Sequence, residues 1–399
     1  MALTASRWDD LEGSKIGEAY ELALELKAQG RQIFDLTTGE PDFASPEHAN
    51  AAGKAAIDNG QTKYTPTDGD MALKESVQLK YRRDNGLEFD INQICIGSGA
   101  KPLLYYVLLT ILDIGDEVIV PTPAWTSFPG MVELAGAVPK LVSCTREQGY
   151  KLTPQALETT LGERTKAIII NTPSNPTGAV YSRTELEALE PILSAYPDVV
   201  IVADEIYEYL VYDVEFASVA ATLPSLAHRI VSVNGASKGY AMTGWRIGYA
   251  AGPVLIMDTL RKLLSQSAGN PTTMSQLATI AAIEGPQDLL AERSELYRRR
   301  RDLAVQILNQ APGLHVDPPD GAFYLYVDCS EALGSQTPDG KVLKDDAAFC
   351  QYLLESEGVA TVPSVGFYAP GGFRVSYACD EETLREACQR IARACNHLR

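Results

Sequence analysis

Five short apolar runs recur through the middle of this chain, and stretches with helical character separate them. The runs are ICIG, EVIVP, AIIIN, VVIVA and IVSVN, which begin at residues 94, 117, 167, 199 and 230. Strands that are apolar on both faces and are joined by helices are typical of a parallel sheet that is covered on both sides. The pattern therefore predicts an α/β fold with a mostly parallel central sheet and helices on both of its faces.

The C-terminal part of the chain has a different pattern. A long helix is predicted over residues 287–309, and the strand-like segments FYLYVD and FRVSYA and a final helix from Asp380 follow it. The length of 399 residues is sufficient for more than one domain. We expect this part to form a smaller α/β unit, in which the basic run YRRRRD (residues 297–302) is the solvated face of the long helix.

Charge and composition exclude several classes of function. The formal net charge of −18 is unsuited to a nucleic-acid backbone or an anionic membrane surface, which both require clustered positive charge. Seven cysteines without a C-x-x-C pair and four scattered histidines predict neither a disulfide framework nor a metal site. The first residues lack a signal-peptide pattern, and the longest apolar stretch is too short to span a bilayer. We expect a cytoplasmic protein.

Three short motifs match other enzyme classes, and none of them explains the rest of the chain. Residues 235–239 match the hydrolase motif G-x-S-x-G, but only His315 and His397 follow to complete a triad. Residues 98–101 match the S-x-x-K motif of serine β-lactamases without its SDN and KTG companions. A proline at the sixth position breaks the dinucleotide-binding motif G-x-G-x-x-G in residues 97–102.

Polar residues follow the predicted strands where each strand ends. Ser98, Gly99 and Ala100 follow the first run and begin a helix, whose free N–H groups and dipole favour an anion. Asn175, Asp204, Ser237 and Lys238 follow later runs. Because the carboxyl ends of parallel strands meet at one crevice, we expect an anion cradle, an amide, a carboxylate, a hydroxyl and an amine to converge there.

Pyridoxal phosphate requires this mixture of groups: a lysine for its aldehyde, an acid for its ring nitrogen, and donors with a cation for its phosphate. The segment GASKGYAMTGWRIG (residues 235–248) matches the attachment signature of enzymes that use this cofactor. The match extends from TTGEPDF near residue 37 to FRVSYA near residue 377. On these motifs the chain resembles the class I, fold-type I pyridoxal-phosphate-dependent aminotransferases of the aspartate aminotransferase type.

The resemblance implies an architecture and an activity. The large cofactor-binding domain would comprise residues 47–285, and the smaller domain would comprise residues 1–46 and 286–399. Two identical subunits would share their active sites. The enzyme would move an amino group from an L-amino acid to a 2-oxo acid such as 2-oxoglutarate by a ping-pong mechanism.

The resemblance also assigns roles around the cofactor. Lys238 would bind the aldehyde and later serve as the base, Asp204 would face the ring nitrogen, and Tyr207 with Asn175 would hydrogen-bond the phenolic oxygen. Trp125 would stack on the ring, although a tryptophan after a strand is also typical of a core. The phosphate would contact Arg246, Ser237, Ser98, Gly99 and Ala100, and also Tyr64 of the neighbouring subunit.

The substrate would contact a second group of residues. Arg374 would bind the α-carboxylate bidentately, with Gly39, Asn175 and Trp125 beside it. Lys101 matches the lysine that binds the distal carboxylate of aspartate or glutamate in one branch of the family, although a solvated lysine is an equally simple interpretation.

One departure leaves the substrate open. The dicarboxylate branch carries a hydroxyl residue where this chain has Ile16, although Ser14 is close by. We therefore predict aspartate as the donor, with aromatic or aliphatic amino acids, or a β-lyase reaction on the same fold, as the alternatives.

Overall fold

The structure is a computed structural model that describes residues 15–399 together with Leu3 and Gly13. Ser14 and the side chain of Ile16, where the sequence departs from the dicarboxylate branch, lie outside this description. No helix in residues 15–399 combines the length and the apolar character that a membrane span requires.

Helices and strands alternate along most of the chain. The helices are α1 (Lys15–Ala28), α2 (Glu47–Asp58), α3 (Met71–Lys80), α4 (Ala100–Ile111), α5 (Ser127–Leu134), α6 (Pro154–Thr160), α7 (Arg183–Ser194), α8 (Val219–Thr222), α9 (Val254–Gln266), α10 (Thr273–Glu284), α11 (Asp288–Leu308), α12 (Asp346–Glu357) and α13 (Glu381–Asn396). The strands are β1 (Phe34–Asp35), β2 (Ile94–Gly97), β3 (Glu117–Thr122), β4 (Val138–Ser143), β5 (Thr165–Asn171), β6 (Val200–Asp204), β7 (Ile230–Gly235), β8 (Gly248–Ala251), β9 (Tyr324–Asp328), β10 (Val359–Ala360), β11 (Val362–Pro363) and β12 (Gly372–Ser376).

Seven strands form the central sheet in the order β2-β8-β7-β6-β5-β3-β4, and β8 alone runs antiparallel to its neighbours. The predicted α/β class with a mostly parallel sheet is therefore confirmed. The five apolar runs are β2, β3, β5, β6 and β7, whereas β4 and β8 were not predicted. The sequence VPKLVS of β4 is partly exposed, and GYAA of β8 has three small residues, so neither has the pattern of a two-sided buried strand.

Burial on both faces of the sheet follows from the alternation of side chains along each strand. In β6, Val200 and Val202 pack into the hydrophobic cluster on one face, and Ile201 and Ala203 pack into the cluster on the other. The polar residue Asp204 ends this strand at the rim of the sheet. The sheet therefore provides a rigid base that presents polar groups at its carboxyl edge.

A second, antiparallel sheet has the order β11-β12-β9, and β1 pairs with β10 in parallel. Their core contains residues from both ends of the chain, since Leu36 shares a cluster with residues of α11, β9, β12 and α13. Leu210 and Tyr212, which follow β6, also belong to this cluster. The division of the chain into residues 47–285 and residues 1–46 with 286–399 stays a prediction.

The basic run in α11 is a solvated face only in part. Arg298 and Arg299 are paired with Glu295 one turn earlier, as the sequence predicts for a surface helix. The prediction is wrong for Arg301, which is 5% exposed, forms an ion pair with Asp213 at 2.7 Å and donates to the Pro319 carbonyl. Because consecutive residues of a helix point in different directions, a run of four arginines cannot lie on one face.

Candidate active site

A cavity of about 650 Å³ lies where the carboxyl ends of the central strands meet the second sheet and the segment after β1. Most of the predicted site residues line it, namely Gly39, Ala100, Lys101, Trp125, Asn175, Asp204, Tyr207, Ser237, Lys238, Arg246 and Arg374. The crevice that the strand pattern predicts is therefore present, and it has the size of a small-molecule site.

Lys238 projects into the cavity from the turn after β7. Its Nζ donates a hydrogen bond of 2.5 Å to the carbonyl of Gly39. Burial lowers the pKa of Lys238 to about 8, an effect that the nearby carboxylate of Glu40 opposes and the cation of Arg246 reinforces. A large share of this amine is therefore neutral near pH 8, as a nucleophile or a base requires.

Asp204 and Glu205 are adjacent buried carboxylates that face opposite directions. Asp204 lines the cavity and accepts a 3.3 Å hydrogen bond from the backbone N–H of Ile206, whereas Glu205 bonds Ser232 Oγ at 2.6 Å. Burial, followed by the charge of Glu205, raises the pKa of Asp204 to about 7, although its backbone bond and Lys238 lower it. The negative charge of Asp204 is thus only weakly stabilised by the protein, and a cationic group in the cavity would favour the ionised form of Asp204.

An anion cradle lies at the start of α4. Gly99 has a φ of 104° and immediately precedes the helix, and a side chain there would clash with the guanidinium of Arg246. Arg246 itself adopts a left-handed conformation and donates to the Thr243 carbonyl at 3.0 Å. Ser237 and Ala100 line the same end of the cavity. A cation, a hydroxyl and a helix N-terminus therefore converge there, as an anionic phosphate requires.

Arg374 in β12 is fully buried, and its guanidinium is only partly satisfied. One terminal nitrogen donates to Asn175 Oδ1 at 3.0 Å and the other to the Thr37 carbonyl at 2.5 Å. Its Nε has no hydrogen-bond partner in the described chain, and burial lowers the pKa of Arg374. A buried cation that lines a cavity without a carboxylate partner is suited to bind a carboxylate ligand.

Two aromatic residues define further parts of the wall. The Trp125 ring packs edge-on against Phe128, with ring centroids 5.3 Å apart, and Lys101 Nζ lies 5.2 Å from the Trp125 ring. Burial and the positive charge of Arg246 lower the pKa of Lys101. The hydroxyl of Tyr207 lies 2.8 Å from that of Tyr324. Lys101 lines the cavity, although its side chain remains exposed.

Three predicted residues do not line the cavity of this chain. Ser98 and Gly99 precede the lining residue Ala100 in the chain, and Gly99 acts through the space that it leaves for Arg246. Tyr64 is 95% exposed and projects away from the protein. Its predicted role is in a neighbouring subunit, and that role stays a prediction.

Comparisons with known proteins agree with one another. A sequence model of the family "Aminotransferase class I and II" matches residues 31–391. The chain is 47% identical to the aspartate/prephenate aminotransferase of Cereibacter sphaeroides, with 94% of each chain covered, and 43% identical to the aspartate aminotransferase of Rhizobium meliloti over 99% of this chain and 96% of that one.

Solved structures give the same result. The aspartate aminotransferase of Rhizobium meliloti superposes over the whole of both chains with a TM-score of 0.97 at 42% identity. The Thermus thermophilus enzyme with maleate superposes with a TM-score of 0.92 at 39% identity, covering 99% of this chain and 100% of that one. The chain belongs to the aminotransferase class I and II family. It is an aminotransferase, and the hydrolase, β-lactamase and dinucleotide-binding motifs are coincidental matches.

The aminotransferase site also contains residues that the sequence did not indicate. They are Thr37, Thr38, Glu40, Leu104, Asn171, Ile206, Thr243, Gly244 and Tyr324. Glu40 accepts a hydrogen bond from Thr243 Oγ1, which joins two of the predicted motifs. The position of Glu40 beside Gly39 in TTGEPDF was the available signal. No comparable signal indicated Tyr324, because FYLYVD contains two tyrosines, two residues apart, that are predicted to lie on the same face of the strand. Among the described side chains, no cluster could hold a metal ion.

Proposed function

We propose that this aminotransferase uses pyridoxal phosphate and moves the amino group of aspartate to a 2-oxo acid such as 2-oxoglutarate. The observation that carries the proposal is Lys238, a cavity amine with a pKa lowered to about 8 that is bonded to a carbonyl and not to a carboxylate. Such an amine is suited to react with an aldehyde and to accept a proton.

The residues of the cavity fit this cofactor. Lys238 would hold the aldehyde and Asp204 the ring nitrogen, and Arg246 with Ser237 and the start of α4 would hold the phosphate. The absence of a side chain at Gly99 leaves room for the Arg246 guanidinium beside the start of α4. This placement supports the assignment of Arg246 to the phosphate. When bound, the cofactor supplies the electron sink that stabilises negative charge at the substrate Cα.

The chain's own residues would move and hold the protons. Lys238 Nζ is suited to accept the proton from the substrate Cα, since burial keeps a large fraction of it neutral near pH 8. Asp204, whose pKa burial raises to about 7, would ionise against a protonated ring nitrogen and hold the proton there. Tyr207 and Asn175 would donate to the phenolic oxygen.

Two cations support a dicarboxylic substrate. Arg374 Nε has no hydrogen-bond partner among the described residues, and Arg374 would bind the α-carboxylate, whereas Lys101, whose Nζ is 5.2 Å from the centroid of the Trp125 ring, would bind the distal carboxylate. The names of the relatives, which include aspartate aminotransferases at 42–43% identity, favour the same substrate. This observation favours aspartate over the aromatic and aliphatic alternatives.

A second candidate substrate is prephenate, a 2-oxo acid with a further carboxylate on its ring. A relative that is 47% identical is named an aspartate/prephenate aminotransferase. The same pair of cations would suit both compounds, and Leu104, Ile206 and Trp125 supply apolar surface for a ring. We propose prephenate as an alternative amino acceptor.

The proposed assembly is a cytoplasmic homodimer with shared active sites. Tyr64 is 95% exposed and is the residue that would reach the phosphate of the partner subunit. All seven cysteines are free, and six of them are buried, which suits a reducing compartment. Sedimentation analysis of the wild type would test the dimer. Reduced cofactor affinity in Tyr64→Phe, with the dimer retained, would test the shared site.

The cofactor and the reaction are tested on the purified protein. Treatment of the cofactor-loaded protein with borohydride, followed by peptide mapping, is expected to label Lys238. Incubation with aspartate and 2-oxoglutarate is expected to give oxaloacetate and glutamate over many turnovers. Release of ammonia without an acceptor would instead identify a β-lyase, and the absence of a label at Lys238 would contradict the proposed cofactor link.

The substrate is tested at Lys101. Lys101→Met is expected to raise the KM for aspartate roughly tenfold to a hundredfold, the range for loss of a charged hydrogen bond, and to leave the KM for phenylalanine nearly unchanged. The matched control is Lys151→Met, which removes a lysine paired with Glu185 outside the cavity. Equal effects of Lys101→Met on both amino acids would contradict a dicarboxylate site.

A further inference from the structure

Tyr324 lies between two groups that the proposed function assigns to different partners. It is in β9, is 1% exposed, and reaches the cavity wall. Its hydroxyl is 2.8 Å from the hydroxyl of Tyr207, and its ring centroid is 4.4 Å from the guanidinium carbon of Arg374. One side chain thus contacts both the residue proposed for the cofactor oxygen and the residue proposed for the substrate carboxylate.

The hydroxyl pair contains only one hydrogen bond, so one of the two protons points elsewhere. Tyr207 is the member proposed to donate to the cofactor oxygen, and it can do so only if Tyr324 supplies the proton that lies between the two tyrosines. Tyr207 is the only hydrogen-bond partner of the Tyr324 hydroxyl within the described chain. The arrangement therefore orders the protons in one direction, from Tyr324 through Tyr207 toward the cavity.

The ring of Tyr324 has a separate effect on Arg374. Arg374 has no carboxylate partner in the described chain, and the face of Tyr324 is one of two aromatic surfaces near its guanidinium, the other being Phe367 at 5.3 Å. A desolvated cation over an aromatic face is stabilised by the quadrupole of the ring. The ring therefore helps to keep the buried cation in place without occupying the nitrogen that a ligand would need.

The backbone on the other side fixes the position of the hydroxyl. A side chain at Gly39 would lie 2.8 Å from Tyr324 Oη, so the glycine leaves just enough room for the tyrosine. The carbonyl of the same residue accepts the hydrogen bond from Lys238. Gly39 thus brings the segment after β1 against both Tyr324 and the amine.

We propose that Tyr324 is a positioning residue that directs the proton of Tyr207 toward the cofactor and holds the guanidinium of Arg374 toward the substrate carboxylate. This inference rests on the proposed function, since it names Tyr207 and Arg374 by the roles assigned there. The proposal has two parts, an effect of the Tyr324 hydroxyl on Tyr207 and an effect of the Tyr324 ring on Arg374. Different substitutions remove the hydroxyl and the ring.

The test uses the protein loaded with pyridoxal phosphate and two variants. Tyr324→Phe removes the hydroxyl only and is expected to raise the pH midpoint of the cofactor's visible absorbance by roughly 0.1–0.7 unit, because a weaker bond from Tyr207 stabilises the anionic oxygen less. Its affinity for succinate, a dicarboxylate that does not react, is expected to stay unchanged. Tyr324→Leu also removes the ring and is expected to weaken succinate binding roughly tenfold to thirtyfold.

The matched control is Tyr326→Phe, two residues along the same strand. Tyr326 is 9% exposed and donates to the Ala369 carbonyl at 2.6 Å, but it does not line the cavity. This variant loses a buried hydroxyl and is expected to keep both the absorbance midpoint and the succinate affinity, while thermal unfolding reports the structural cost in all three variants. If the absorbance midpoint of Tyr326→Phe moves by the same amount as that of Tyr324→Phe, the shift reflects a general loss of stability, and the proposal is overturned.

Two results distinguish this inference from the proposed function. If the wild type has a normal cofactor band and the absorbance midpoint of Tyr324→Phe equals that of the wild type, the inference alone is overturned. Tyr207→Phe serves as the positive control for that measurement. A wild type that acquires no visible band with the cofactor would overturn the proposed function and this inference together.

Discussion

Two lysines in this protein, the fully buried Lys80 and the partly buried Lys238, have opposite surroundings. Lys80, at the end of α3, is enclosed, forms an ion pair with Glu208, whose side chain is 2% exposed, and donates to Asn85 Oδ1 at 2.7 Å. Lys238 donates to a backbone carbonyl, and burial lowers its pKa to about 8. A fully buried amine with a carboxylate partner stabilises the fold, whereas a partly buried amine with no carboxylate partner among the described residues is available for chemistry.

The surroundings of Lys80 explain why it is so tightly held. After α3 the chain continues as a π-helical turn over Tyr81–Asn85. This turn ends at Gly86, which has a φ of 65°. This wider turn presents Asn85 to Lys80, and Asn85 Nδ2 also donates to Glu208 at 3.0 Å. The three side chains therefore form a closed polar cluster next to the ring of Tyr81.

The largest expected effect is the loss of activity when Lys238 is removed. Lys238→Ala is expected to lower kcat for amino transfer by at least about 10⁴-fold, because both the covalent link and the base are lost. Circular dichroism and a steady-state assay at saturating cofactor would measure this. Retention of more than a hundredth of the wild-type kcat in a folded variant would contradict the assignment of Lys238.

Removal of the other lysine is expected to affect stability. Lys80→Met leaves the buried Glu208 without its cationic partner and is expected to lower the free energy of unfolding by about 3–5 kcal/mol. The double variant Lys80→Met/Glu208→Leu, which removes both charges, is expected to regain most of that loss. Urea denaturation of the cofactor-free protein measures both. A loss below 1 kcal/mol in the single variant would show that the pair is solvated in solution.

The comparison also predicts a difference in pH dependence. The pKa of Lys238 is about 8 in the folded protein and 10.5 in an ordinary lysine, so the unfolded state binds more protons between these values. The stability of the cofactor-free wild type should therefore rise with pH from about 8 to 10.5 relative to Lys238→Met, by on the order of 3 kcal/mol. Urea denaturation of both proteins at several pH values measures the difference. A constant difference would mean that Lys238 is not buried in the cofactor-free state.

The smallest expected effect concerns Arg374, which is a fully buried cation in the cavity wall. Arg374→Lys keeps a charge but loses the planar group that bonds Asn175 and Thr37, and the KM for aspartate is expected to rise about tenfold to a hundredfold. Initial rates at varied aspartate measure it, with urea denaturation as a check on folding. An unchanged KM would show that the carboxylate binds elsewhere.

The sequence predicted the sheet side of the cavity better than the opposite side. Asp204 and Lys238 follow apolar runs that are long enough to identify as strands, so their convergence could be derived from the topology of parallel strands. Arg374 has no such signal and was predicted only through the resemblance of FRVSYA to a known motif. The role of Tyr324 depends on contact with Tyr207, which is 117 residues away in the chain, and no local pattern reports such a contact.

The errors in the prediction of the fold have similar causes. Three of the four residues of strand β8 are small, and its antiparallel pairing with β2 and β7 depends on neighbours that the sequence does not reveal. The inward position of Arg301 depends on Asp213, which comes from the segment after β6. Local periodicity therefore predicts elements and their order, while pairs between distant segments require the folded chain.

The contact between Gly99 and Arg246 limits how this enzyme could be redesigned. Any library that varies the helix start to change the accepted amino acid should leave position 99 untouched, because even an alanine there would displace the guanidinium. Lys101 and Leu104, two and five residues further along the chain, line the cavity from within the same helix and carry no such restriction on their own backbone. New substrate preferences should therefore be sought within about two helical turns of the position that tolerates no change.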